Sequence, residues 1–140
     1  MSSFSTENSV SVRQLCPLLG GGVTMTKEVE NTIPVLPVKN LTNSRVFYVD
    51  TLGFRVDWGV SDTDTVCQVS RDGHRIMLTE DDTLGSPGCV WIGLETDRLF
   101  QEFQDKGVTV LRAPENKPWA YEMLIRDLDG NVLWLGTDPR

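Results

Sequence analysis

Few side chains in this 140-residue chain are able to do chemistry: one histidine, His74, three cysteines, four tryptophans and twenty Asp and Glu carboxylates. A nucleophile needs a base beside it. His74 directly follows Asp72-Gly73, a two-residue turn signal that places it at the exposed start of a strand. Cys89 sits on an apolar strand and could be a nucleophile, but no histidine is readable next to it, so a buried structural thiol is expected. Cys16, Cys67 and Cys89 are odd in number and irregularly spaced, which reads as reduced thiols and not as a disulfide framework or metal knuckle. Glu80, Asp81 and Asp82 fall in the connector EDDTLGSP and read as solvated charge. Gly20-Gly21-Gly22 lies outside any strand-to-helix context, so it is no phosphate loop. What remains is flat apolar surface: Trp58, Trp91, Trp119 and Trp134, whose chemistry is stacking.

The elements that position these residues follow a repeated grammar: a short apolar strand, a helix closed by glycine, then more strands. The first pass reads IPVLPVKNLTNSRVFYVDTLGF, Ile33 to Phe54, and the second GCVWIGLETDRLFQEFQDKGV, Gly88 to Val108. In the first unit, Thr32 to Val38 is a strand that Pro34 and Pro37 confine to an edge or bulge. Asn40 or Thr42 caps a helix that carries Val46, Phe47, Val49 and Leu52 toward a core and stops at Gly53. Strands follow at Phe54 to Val60, Thr65 to Ser70 and His74 to Thr79. In the second unit a strand spans Cys89 to Leu94, and Thr96, Leu99, Phe100 and Phe103, at spacings of three and four, form the amphipathic stripe of a helix ended by Gly107. Strands are then expected at Val108 to Leu111, Trp119 to Arg126 and Val132 to Leu135, with RAPENKP as a loop. The fold class is α+β, two βαβββ modules over residues 31–82 and 87–138, forming curved mixed sheets around a cleft. Residues 1–30 are a polar, Ser-rich extension expected to be loose, and Met25 is a candidate alternative start.

The formal charge of −7 disfavours nucleic acid and anionic membranes and favours a cationic ligand. No apolar run reaches the roughly 18 residues of a membrane helix. No secretory leader is evident, and a soluble cytoplasmic protein is expected.

The doubled βαβββ order, FY…LGF and the D-x-D-G-N turn resemble the vicinal oxygen chelate (glyoxalase, bleomycin resistance, dioxygenase) superfamily. IPVLPVKNL with VFYVDTLGF, and PWAYEMLIRDLDGNVLWL with its PW-x-x-E-x-x-x-RD run, are most similar to the bleomycin resistance branch. The resemblance runs from about Thr32 to Leu135. It implies that metal-ligand positions of the enzymes fall on Ile33, Met77, Cys89 and Trp134. Ile and Trp offer no lone pair suited to a metal, and thioether is a poor ligand for hard or borderline ions. No metal, no cofactor and no catalytic residue are therefore expected.

For the antibiotic-binding branch, the resemblance implies that Trp58 and Trp119 flank a planar part of a drug. Met77 and Trp134, in place of ligands, make the slot apolar, and Thr79 lines the groove. Strand parity puts Cys89 and Trp91 on one face. Asp57, Asp62, Asp64 and Glu122 are read as an acidic rim for a cationic tail. The branch also implies a homodimer that swaps a first-unit strand. The expected function is binding and sequestration of a planar cationic antibiotic of the bleomycin type without modifying it. The alternatives are a metal-dependent lyase or isomerase at a site remodelled around Cys89 or Glu122, and a small-molecule-binding protein for an unrelated aromatic ligand.

Overall fold

Asp72 and Gly73 both adopt positive φ, 52° and 81°. This is the left-handed pair that a two-residue turn demands, and the hairpin it closes is the spine of the first sheet. The structure is a computed structural model that describes residues 27–140. The expectations for the Ser-rich stretch, Cys16 and Met25 fall outside the described residues, apart from residues 27–30. The elements are β1 (Val35–Pro37), α1 (Leu41–Val46), β2 (Arg55–Trp58), β3 (Val66–Arg71) and β4 (His74–Thr79), then β5 (Cys89–Gly93), α2 (Arg98–Asp105), β6 (Thr109–Asn116), β7 (Tyr121–Arg126) and β8 (Val132–Thr137). They build two four-stranded mixed sheets, ordered β1-β4-β3-β2 and β5-β8-β7-β6, and neither closes into a barrel. In each sheet the first strand runs parallel to the fourth of the same module, and all other pairs are antiparallel. This is the βαβββ order read from the sequence, twice. Among the described residues no helix is long and apolar enough to cross a membrane.

One continuous core joins the two modules. It takes Leu36, Cys67, Val69, Ile76 and Leu78 from the first sheet, and Met123, Ile125, Leu133 and Leu135 from the second. Helix α2 adds Phe100 and Phe103, two of the stripe residues.

Helix α1 departs from expectation. Asn40 caps it, accepting from the Asn43 amide at 2.8 Å, and Phe47–Thr51 prolongs it as a π-helical turn. Its buried side carries Leu41, Ser44, Arg45, Tyr48 and Leu52, while Val46 is exposed. Of the expected stripe, Leu52 is buried and Phe47 packs against the core, but Val46 does not, because three residues with polar heads hold much of the inner face. Their heads are satisfied there: Arg45 Nη1 donates to the Gly59 carbonyl at 2.7 Å, and Tyr48 Oη donates to Asp127 Oδ2 at 2.8 Å. Strand β6 is the second correction, since it runs through most of the expected RAPENKP loop. An edge strand tolerates Pro114, and the register shifts on either side of Arg112 absorb it.

The DLDGN turn between β7 and β8 fastens the second module to the first. Asn131 Nδ2 donates to the Pro37 carbonyl at 2.8 Å and its Oδ1 accepts from the Gly88 amide at 2.7 Å. Asp129 accepts from the Lys39 amide at 2.9 Å and from Ser44 Oγ at 3.2 Å. Burial first, then the adjacent Asp127 carboxylate, pushes the Tyr48 phenol well above its ordinary value near 10. Below about pH 10 the phenol is neutral whether folded or unfolded, so its contribution is complete. Above that pH the unfolded chain ionises while the folded one does not, and stability falls by up to about 1.4 kcal/mol per pH unit. In Tyr48→Phe the protein is weaker at pH 8 by about 1–2 kcal/mol, through the lost hydrogen bond, but the alkaline decline is shallower. Denaturant melts at pH 8, 10 and 11 measure both, and an equally steep decline in the variant contradicts this account.

Candidate functional site

A strand shows alternate side chains to opposite faces, so a core on one side of each sheet leaves a second face open. On the first sheet, cross-strand pairing sets Val35, Met77, Gln68 and Trp58 in one row over all four strands. Trp58 is 43% exposed. Val56 pairs with the buried Val69 and packs on the core, so alternation turns Asp57 to the open side and would return Trp58 to the core. The register slips between Val56 and Trp58, and this bulge keeps Trp58 on the open side with Asp57. There Asp57 accepts from Gln68 Nε2 and from Ser70 Oγ, each at 2.9 Å, with Arg55 Nε at 3.4 Å. The chain leaves Trp58 through Gly59, whose φ of +83° and tight packing against Val66 and Cys67 backbone admit no side chain. Thr79 lies on the same face but is buried, and its hydroxyl accepts from the Asp81 amide at 3.1 Å.

On the second sheet one row reads Trp91, Trp134, Leu124, Arg112 and the next Gly93, Gly136, Glu122, Glu115. Trp91 and Trp134 meet edge to face, with centroids 5.5 Å apart at 78°. Trp91 is 49% exposed; its ring lies across Gly136, where a Cβ would overlap it. Trp119 belongs to the turn Lys117–Ala120, closed by a 2.8 Å bond from the Lys117 amide to the Ala120 carbonyl. Its ring is 64% exposed, yet its Nε1 donates to Glu122 Oε2 at 2.7 Å. The other oxygen of Glu122 accepts from Arg112 Nη2 at 2.9 Å.

The sequence-derived residues thus fall into two groups on two sheets: Asp57, Trp58, Met77 and Thr79 on the first, and Cys89, Trp91, Trp119, Glu122 and Trp134 on the second. Two placements are corrected, those of Glu122 and Cys89. Glu122 is wholly buried and stands on no rim. Asp62 and Asp64 do flank the loop after Trp58, where Asp64 accepts from the Ser61 amide at 2.8 Å. Cys89 is an exposed thiol, because β5 turns it to the open face with Trp91. Cys67 is the buried one, and burial pushes its thiol up. His74 is exposed, as its turn implied.

The metal of the vicinal oxygen chelate enzymes does not fit these side chains. Of the expected positions, Met77 is paired with Val35 and not with Ile33, which precedes β1, and Trp134 is paired with Trp91 and not with Cys89. Among all six only Cys89 is a donor for a hard or borderline ion, and one donor makes no site. Cys89 and Glu122 lie two rows and two strands apart, so they do not converge either. Among the described residues no three His, Cys, Asp or Glu side chains gather as ligands would. A pocket of about 380 Å³, lined by Pro37, Lys39, Glu80, Asp82, Pro87 and Asp129 among others, holds none of the nine sequence-derived residues. Gln68, Ser70, Arg112 and Gly136 escaped sequence reading. Alternation points to Gln68 and Ser70, but nothing local marks Arg112, whose place depends on the bulges in β6.

Residues 31–135 match the family described as the Glyoxalase/Bleomycin resistance protein/Dioxygenase superfamily. No curated protein is detectably similar in sequence. Among solved structures, TnmS3, an antibiotic binding protein from Streptomyces sp. CB03234, is 23% identical with a TM-score of 0.68, over 81% of this chain and 99% of that one. The bleomycin-binding protein from bleomycin-producing Streptomyces verticillus, complexed with copper(II)-bleomycin, is 24% identical with a TM-score of 0.64, over 83% and 100%. A glyoxalase/bleomycin resistance protein from Streptomyces sp. CB03234 is 26% identical with a TM-score of 0.65, over 76% and 98%.

The cradle at Gly136 makes a prediction. Gly136→Ala destabilises by about 1–3 kcal/mol through overpacking against Trp91. In a Trp91→Ala background the same change costs less than about 0.5 kcal/mol, because the clashing ring is gone. Equal losses in both backgrounds, measured by urea unfolding, contradict the packing described.

Proposed function

The chain belongs to the glyoxalase/bleomycin resistance protein/dioxygenase superfamily, and from that premise we propose that it binds and sequesters a planar cationic antibiotic of the bleomycin type without modifying it. The observation that carries this reading is the pair of open sheet faces, each with a well-exposed indole fixed beside a carboxylate: Trp58 by Asp57 and Trp119 by Glu122. A flat ring against an indole gains apolar burial and about 0.5–1.5 kcal/mol more from the aromatic pair. Asp57, with 18% of its side chain exposed, offers the negative end for a cation. No side chain is given a bond-making role.

Titration with metal-free and copper-bound bleomycin, followed by tryptophan fluorescence, tests the proposal. Trp58→Ala and Trp119→Ala each weaken binding about tenfold or more, a loss of about 1.4 kcal/mol. Absence of quenching up to about 100 μM, where binding would be worth only about 5.5 kcal/mol, defeats it.

One observation favours a second reading. The Asp57 and Glu122 carboxylates already accept two hydrogen bonds each from the chain's own donors, which suits a neutral planar ligand. A neutral polycyclic compound that raises the melting temperature where bleomycin does not would select it.

We further propose a homodimer, since Val35, Trp58, Trp91, Leu111 and Trp119 are all more than 40% exposed and a second copy set across such faces would wall the ligand clefts between the subunits. The resemblance implies that a first-unit strand is exchanged between the subunits; in the single chain β1 pairs with its own β4. A one-subunit mass by light scattering at micromolar concentration refutes it.

A further inference from the structure

We propose that Glu122 and Arg112 are a positioning pair: together they lock the Trp119 ring for stacking, and Glu122 itself does not touch the ligand. The inference rests on the reading of Trp119 as a stacking surface. A tryptophan that is 64% exposed on a turn has little packing to choose its rotamer. Here the choice is made from below. The Glu122 carboxylate lies on β7, inside the sheet between β6 and β8, with no solvent exposure. Burying an anion is unfavourable unless donors replace its water, and its two oxygens have one charged and one neutral donor: Arg112 Nη2 at 2.9 Å and Trp119 Nε1 at 2.7 Å. Arg112 in turn faces Glu115 on its own strand, its Nε 3.8 Å from that carboxylate and making no hydrogen bond. The outcome is an indole tethered at its only polar atom, with its ring left open to solvent. Such a ring has already lost the rotamer freedom that a binding event would otherwise remove, so affinity rises with no new contact.

Arg112 therefore acts through Glu122, and Glu122 through Trp119. Glu122→Gln tests the chain gently. Its amide keeps one acceptor oxygen but turns a donor toward either Arg112 or Trp119, so one of the two bonds is lost.

The first measurement needs no ligand. In protein labelled with ¹⁵N-tryptophan, the indole N–H signal that vanishes in Trp119→Phe belongs to Trp119. It is expected to be shifted downfield and slow to exchange, and to lose both properties in Glu122→Gln and Glu122→Ala while the backbone amide spectrum stays native. An unmoved indole signal in a folded Glu122→Gln protein overturns the proposal. The second measurement uses copper-bound bleomycin. Glu122→Gln weakens it about three- to tenfold in the parent and has no further effect in Trp119→Phe; a further loss in that background overturns positioning in favour of direct contact. If the parent protein binds no bleomycin, the stacking reading fails and the indole measurement alone decides the tether.

Discussion

The Asp127 carboxylate is the point on which both modules bear. It is 5% exposed and has no cation among its hydrogen-bond donors. Four neutral donors take the place of water: the amides of Asp129 and Asn131, the Asn131 side chain and the Tyr48 hydroxyl. Three of these come from its own turn and set that turn's shape. The fourth comes from the first module's helix. With the turn so shaped, Asn131 reaches the end of β1 and Asp129 reaches the start of α1. Each buried group depends on the others, so removing one leaves orphaned partners that cost about 1–3 kcal/mol apiece. The D-x-D-G-N turn is in this sense a clasp, and both its aspartates and its asparagine are used.

That clasp has a consequence for the surface. Because the modules share one core, their helices and inner sheet faces are spent on each other, and among the described residues nothing covers the exposed indoles of the outer faces. Apolar alternation then has nothing to bury on the outer side of β2, β5 and β7, yet tryptophans stand there or beside it. Indoles at such positions are unfavourable for a lone soluble chain and informative for that reason. Each is also braced. Arg45 holds the carbonyl after Trp58, Gly136 leaves room for Trp91, and Glu122 ties down Trp119.

Much of this was legible in the residues. The Asp72-Gly73 hairpin, the Phe100 and Phe103 stripe and the strand alternation at Cys89 and Trp91 all depend on local rules, and these stand as read. What was not legible depends on distant partners. Ser44, Arg45 and Tyr48 look like surface residues until Asp129, the Gly59 carbonyl and Asp127 supply their hydrogen bonds. Pro114 reads as a loop because nothing local says that β6 is an edge. Asp57 and Glu122 read as free acids, since a carboxylate's donors lie on other strands. Cys89 reads as a buried thiol because an apolar strand does not reveal which of its faces the core will claim.

The row positions opposite one another explain why stacking is a coherent use of this surface where coordination is not. Coordination needs lone-pair donors held within a few tenths of an ångström of about 2 Å from an ion, and the pairs of Val35 with Met77 and Trp91 with Trp134 carry none suited to a hard or borderline ion. These four present area instead. Apolar burial gains about 25 cal/mol per Å² and varies slowly with small shifts, so a bulge that re-aims a side chain does little harm. A bulge can then be used for something else, and at Trp58 it is. The slip in β2 holds on the open face an indole that alternation would bury, beside Asp57, whose carboxylate accepts from Gln68 and Ser70. On these two sheets flat surface comes first, and a hydrogen-bonded acid at its edge comes second.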